Sequence, residues 1–94
     1  MSKADKKIEK WLNNTPTEDR IEAVEAALER HLPGQYEKKS GSHIIVKHEI
    51  LKGLDEFGPL GELSIPVKSG QKVKGVYLKK LAVLLTLIKE MDSK

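Results

Sequence analysis

The apolar residues of this chain change their spacing twice, and those two changes constrain its fold more than any single motif. Before Pro33-Gly34 they recur at helical intervals, between Gln35 and Val67 they alternate, and after Gly75 they are helical again. Ile8, Trp11 and Leu12 share one face of a helix predicted over residues 3–13, ended by Asn13-Asn14. Thr15-Pro16-Thr17-Glu18 reads as a second helix start. Thr15 is the N-cap, Pro16 the first helical residue, and Glu18 completes a capping box. That helix is predicted to run to His31 on a stripe of Ile21, Val24 and Leu28, where Pro33-Gly34 stops it. His31 then sits at a helix C-terminus, where a cationic imidazole suits the dipole.

Gln35–Lys39 and Ser42–His48 read as strands joined by a Ser40-Gly41 turn, and Glu62–Val67 as a third. Pro66 donates no ladder hydrogen bond, which makes the third an edge strand or places Pro66 at its end. Residues 49–61 form an irregular insertion between strands, with room for one helical turn before Gly58, Pro59 and Gly61. Ser69-Gly70 turns the chain, and a last helix runs from Gly75 to Met91 on Leu78, Leu81, Leu85 and Ile88. The predicted order is α-α-β-β-β-α. Its economical arrangement is an α+β two-layer sandwich, a three-stranded antiparallel sheet with helices on one face.

Length and composition set the outer limits. Ninety-four residues make one domain, residues 1–94, with one modest core and no room for a deep cofactor cleft. Without cysteine there is no disulfide, thiolate nucleophile or cysteine-held zinc. The spacings of His31, His43 and His48 do not suggest a metal site. No apolar run of about 18 residues is present, and the charged start, Met1 to Lys10, lacks the apolar core of a secretory signal. The expectation is a cytoplasmic protein with no membrane partner and no small-molecule cofactor.

The charge is unevenly placed. Residues 1–34 carry six basic and seven acidic side chains, and residues 35–94 carry eleven and seven. Lys68, Lys72, Lys74, Lys79 and Lys80 fall in one stretch without an acid, a pattern that can collect a polyanion. Lysine attracts phosphate as a point charge and lacks the paired donors that arginine offers to bases. RNA binding through such a surface is therefore backbone-directed and salt-sensitive. In the second strand Ile44, Val46 and His48 share one face, and His43, Ile45 and Lys47 the other. The aliphatic pair marks the core face. His43 is then expected on the open face with Lys47, close to Lys38 and Lys39 across the hairpin. A group that titrates near neutral pH beside cations suits acid–base work on a phosphodiester.

Lys39-Ser40-Gly41-Ser42-His43-Ile44-Ile45-Val46 resembles the strand signature of the HicA family of toxins. Leu63-Ser64-Ile65-Pro66-Val67-Lys68 resembles that family's third strand. The run from Lys72 to Leu81 resembles its basic lead into the last helix, and Ile8 to Leu32 the helical start of one branch. Lys68 stands where the family has a histidine, and Gly75 where it usually has a proline. The resemblance implies a double-stranded-RNA-binding-like fold. It also implies a metal-independent endoribonuclease (an mRNA interferase) that cleaves messenger RNA and is neutralised by a HicB-type antitoxin. On that pattern His43 is the catalytic residue, Gly41 permits the turn and Ser42 sets the strand start. Lys72 and Lys74 then approach the N-terminus of the last helix, where free N–H groups favour phosphate. Two other readings fit the same residues. One is a catalytically silent RNA-binding module of the same fold, and the other a protein-interaction domain that pairs through its open sheet face.

Overall fold

A computed structural model describes residues 3–39, 43–53, 61–69 and 71–92. Its elements are α1 (Lys3–Asn13), β1 (Glu18–Arg20), α2 (Ile21–His31), β2 (Tyr36–Lys39), β3 (His43–Lys47), a 3-10 turn (Glu49–Gly53), β4 (Glu62–Pro66), β5 (Lys72–Lys74) and α3 (Gly75–Asp92). The protein is α+β, and β2, β3 and β4 form the expected three-stranded antiparallel sheet with β3 in the centre. None of the described helices is long and apolar enough to cross a membrane.

The alternation of β3 places Ile44 and Val46 in the core, fully buried, where Leu63 and Ile65 of β4 join them. The same cluster takes in Val24, Ala27 and Leu28 of α2 and Leu78, Leu81, Leu85 and Ile88 of α3. These are the stripes that the helical spacing predicts. Helix α1 packs chiefly against α3 and α2, and inserts Ile8 and the fully buried Trp11. His31 Nε2 lies 3.0 Å from Asp5 Oδ1, which ties the end of α2 to the first turn of α1. Beyond α2, Gly34 turns the chain at φ +77°, a left-handed conformation that glycine adopts without steric cost.

The order differs from the predicted one at two places, and both changes have one cause. Glu18–Arg20 is a strand and not a first helical turn. It pairs antiparallel with a strand at Lys72–Lys74, so that Glu18 faces Lys74, Asp19 faces Val73 and Arg20 faces Lys72. The full order is α-β-α-β-β-β-β-α. The ladder continues past both ends, with Gly75 N–H donating to the Thr17 carbonyl at 2.7 Å and Ile21 N–H to the Gln71 carbonyl at 2.8 Å. Backbone groups that a capping box would satisfy are thus used by a second, two-stranded sheet. Helix α2 starts at Ile21 instead, after an extended Arg20 that makes no side-chain cap. The Thr15 hydroxyl donates to the Trp11 carbonyl, so Thr15 closes α1 and does not open α2. At the other edge β4 ends at Pro66, one residue short of the predicted Val67, in keeping with proline's missing donor. Within residues 49–61, Glu49–Gly53 takes the single helical turn; residues 54–60 lie outside the described residues.

Candidate nucleic-acid interface

His43 opens β3, paired with Lys39 on β2 and Pro66 on β4. Directly opposed residues share a face, so the open face carries His43, Ile45 and Lys47 flanked by Lys39 and Glu37 on one side and Pro66, Ser64 and Glu62 on the other. His43 and Lys47 are exposed there, as the alternation predicts. Gly41 and Ser42, which precede His43, lie outside the described residues. The face is not uniformly cationic. The Glu37 carboxylate lies 3.7 Å from both Lys39 Nζ and Lys47 Nζ. All three side chains are more than half exposed, and ion pairs of that kind contribute about 0–1 kcal/mol. A phosphate can therefore take the place of Glu37 at little cost.

Lys38 is placed elsewhere than expected. It opposes Ile44, on the helix side of the sheet, and its Nζ lies 3.0 Å from Glu25 on α2. Its neighbour on that face, Tyr36, donates its hydroxyl to Glu29 of the same helix at 2.8 Å. Lys38 thus fastens β2 to α2 and is not beside His43.

The second concentration of charge surrounds the start of α3. Lys68 and Lys72 bond each other's backbone in both directions, at 2.6 and 3.1 Å, and close a tight turn before β5. Lys72 Nζ is held by Glu18 at 3.1 Å, and Lys79 Nζ donates to the Leu12 carbonyl at 2.6 Å. Lys80 lies over the Tyr77 ring, 5.9 Å from its centre. Lys68 and Lys74 have no side-chain ion pair or hydrogen bond among the described residues. Both line a concave surface of about 700 Å³ whose other walls are Thr15 to Glu18, Gly75, Val76, Lys79 and Lys80. A smaller hollow of about 260 Å³ is lined by Pro66, Val67, Lys68, Lys74 and Tyr77.

Pro66 links the two regions. It is the cross-strand partner of His43 and a wall of the hollow that holds Lys68 and Lys74. His43 thus stands one strand away from Lys68 and Lys74, which have no side-chain partners among the described residues. Of the sequence-predicted residues, Lys39, Lys47 and His43 share the open sheet face, and Lys68, Lys74 and Lys79 share the concave surface. Lys72 is occupied by Glu18. The Thr15–Thr17 wall escapes a reading of the sequence, because it depends on the β1–β5 pairing, whereas the Tyr77–Lys80 contact joins residues three apart on α3 and helical spacing is the signal that finds it.

The wall formed by β1 is anchored from behind. Trp11 Nε1–H and Lys7 Nζ both donate to Asp19 Oδ2 at 3.0 Å, and Arg20 N–H donates to Asp19 Oδ1 at 2.8 Å. Burial pushes the Asp19 carboxyl up, but the Trp11, Lys7 and Arg20 donors outweigh it, and the group titrates below its ordinary value. A carboxyl whose folded pKa is depressed adds stability above its unfolded pKa, and that stability is lost as pH falls through the folded value. Thermal melts between about pH 2 and 6 should therefore show the wild type losing more stability than Asp19→Asn below about pH 4. Parallel curves would refute the anchoring role.

Among the described residues no three His, Asp or Glu side chains are gathered so as to hold a metal ion. No protein-family model matches the chain, and neither the curated proteins nor the solved structures contain a significant match to it.

Proposed function

We propose that this protein binds RNA across the His43 face and the lysine-lined surface beside it, and cleaves it as a HicA-type endoribonuclease with a double-stranded-RNA-binding-like fold. The observation that carries the reading is the placement of an exposed histidine across one strand pair from Pro66, the wall of the hollow that contains Lys68 and Lys74. The reaction in this reading is attack of a ribose 2′-hydroxyl on the adjacent phosphorus. A 2′,3′-cyclic phosphate forms, the bond to the 5′-oxygen breaks, and that oxygen takes up a proton. His43 moves a proton as base or acid, and the Lys39 and Lys47 ammonium groups, released from Glu37, offset the negative charge that grows on the phosphoryl oxygens. Lys68, Lys74 and Lys79 hold neighbouring phosphates, so affinity falls steeply with salt. A HicB-type antitoxin is the partner this reading implies, and messenger RNA the substrate.

The test is cleavage of a mixed-sequence RNA in EDTA by the wild type and by His43→Ala. His43 is exposed, so its replacement leaves the fold intact, which circular dichroism would verify. The expected result is cleavage by the wild type and a loss of about a hundredfold or more in the variant. Equal rates would remove His43 from the mechanism. RNA bound but cut by neither protein would establish the silent RNA-binding module instead. The engagement of both open-face lysines by Glu37 favours that second reading.

A further inference from the structure

Four of the hollows on the described surface have a carboxylate in their lining: Glu18 in two of them, Asp5 and Glu9 in a third, and Glu49 in a fourth. The hollow of about 260 Å³ where β4 ends has none, and Lys68 and Lys74 stand in its wall. Its other walls are Pro66, Val67 and Tyr77. Tyr77 lies in the first turn of α3, half-buried, with its ring packed against the core cluster and part of it open to the hollow. Its hydroxyl makes no hydrogen bond among the described residues, whereas that of Tyr36 is taken by Glu29. Trp11 is fully buried. Tyr77 is therefore the aromatic side chain, among the described residues, that offers a ring held by the core to a cationic hollow. Lys80, one turn further along α3, lies over the same ring at 5.9 Å and adds a third cation.

We infer that this hollow is a base subsite: one unpaired base of the RNA stacks on Tyr77 against Pro66, and the phosphates on either side of it lie on Lys68 and Lys74. The inference rests on the RNA reading above and adds to it the state of the strand that the site accepts. A phosphate alone would satisfy the lysines but leave the Tyr77 and Pro66 surfaces uncovered. A nucleotide covers both, with a flat apolar base and an anion joined in one unit. Pro66 is also the cross-strand partner of His43, so the stacked base belongs to a nucleotide beside the phosphate that His43 faces. A base reaches an aromatic side chain only when it is unpaired and turned out from its strand. The subsite therefore takes single-stranded RNA and loops, and a duplex gains nothing from it. Every base has a π-face, so the stack prefers a base to none without choosing among bases.

Fluorescence anisotropy with strands that cannot be cut tests this. Each strand has about ten 2′-O-methyl nucleotides, which lack the attacking hydroxyl; one is of mixed sequence and the other is the same sugar–phosphate chain without bases. The wild type should bind the base-bearing strand about tenfold more tightly than the bare chain. Tyr77→Leu keeps a large apolar side chain on the helix. It should erase that difference by weakening the base-bearing complex alone, and should bind the bare chain and the annealed duplex as the wild type does. Tyr77→Phe should keep the difference. A ring that only supports the fold would weaken all three complexes alike, without coupling to the bases, and that result overturns the proposal. Equal binding of the two strands by the wild type, a comparison that needs no variant, also overturns it and leaves RNA binding through the lysines standing. Binding of neither strand overturns this inference and the proposed function together.

Discussion

Trp11→Ala should cost the protein a large share of its stability. The indole is fully buried where α1 meets α2 and α3, and its Nε1–H is one of the donors to Asp19. Removing a buried tryptophan costs about 3–5 kcal/mol through lost burial and the cavity that remains. Domains of this size have about 5–15 kcal/mol in total. Here the cavity opens in a core shared with α2 and α3, against which α1 packs, and neither helix can close it without leaving the sheet. The Asp19 carboxylate also loses a donor in a site where its side chain is only 10% exposed. The midpoint of thermal unfolding should fall by more than about 12 °C. Trp11→Phe separates the two contributions. It keeps most of the buried surface, gives up the hydrogen bond, and should cost about 1.5–3 kcal/mol. A Trp11→Ala protein that melts within a few degrees of the wild type would mean that α1 is not part of the cooperative unit.

Gly75→Ala should be destabilising by about 3 kcal/mol, at a position where helix propensity alone argues for a gain. A β-carbon at residue 75 would lie 2.2 Å from the Pro16 carbonyl oxygen and 3.2 Å from that of Thr17. Both obstacles are backbone atoms, and the Gly75 N–H holds this segment close by its bond to the Thr17 carbonyl. The methyl group must therefore break that bond or push β1 away from β5. Either movement opens the wall of the concave surface, so under the proposed function RNA affinity should fall together with the urea midpoint. An alanine variant as stable as the wild type would show that the Thr15–Thr17 segment yields freely.

These two sites also mark the boundary of what the sequence reveals. The faces of β3 follow from alternation alone, because Ile44 and Val46 are aliphatic neighbours at period two. The stripes of α2 and α3 follow equally from Val24 and Leu28 and from Leu78 and Leu81. The exposure of His43 is likewise local: it sits at the start of a strand whose buried side is unambiguous. The strand at Glu18–Arg20 is not legible in this way. Thr-Pro-Thr-Glu is locally a sound helix start, and what overrides it is a ladder to Lys72–Lys74, more than fifty residues away. Two misplacements follow from similar causes. Lys72 is neutralised by Glu18, which only that pairing brings near. Lys38 turns to α2 because hairpin register, and not proximity along the chain, decides which face a strand residue joins.

The same ladder governs when the concave surface is complete. Its two strands enclose most of the chain, and closing so large a loop costs entropy before any contact across it is gained. Contacts of this separation slow folding. During synthesis the Thr15–Glu18 wall emerges more than fifty residues before Lys74 and the α3 residues that complete the concave surface. Trp11 too must wait for α3 before it is enclosed. A growing chain therefore carries the histidine and the central hairpin well before it has the surface that, under the proposed function, holds a phosphate backbone.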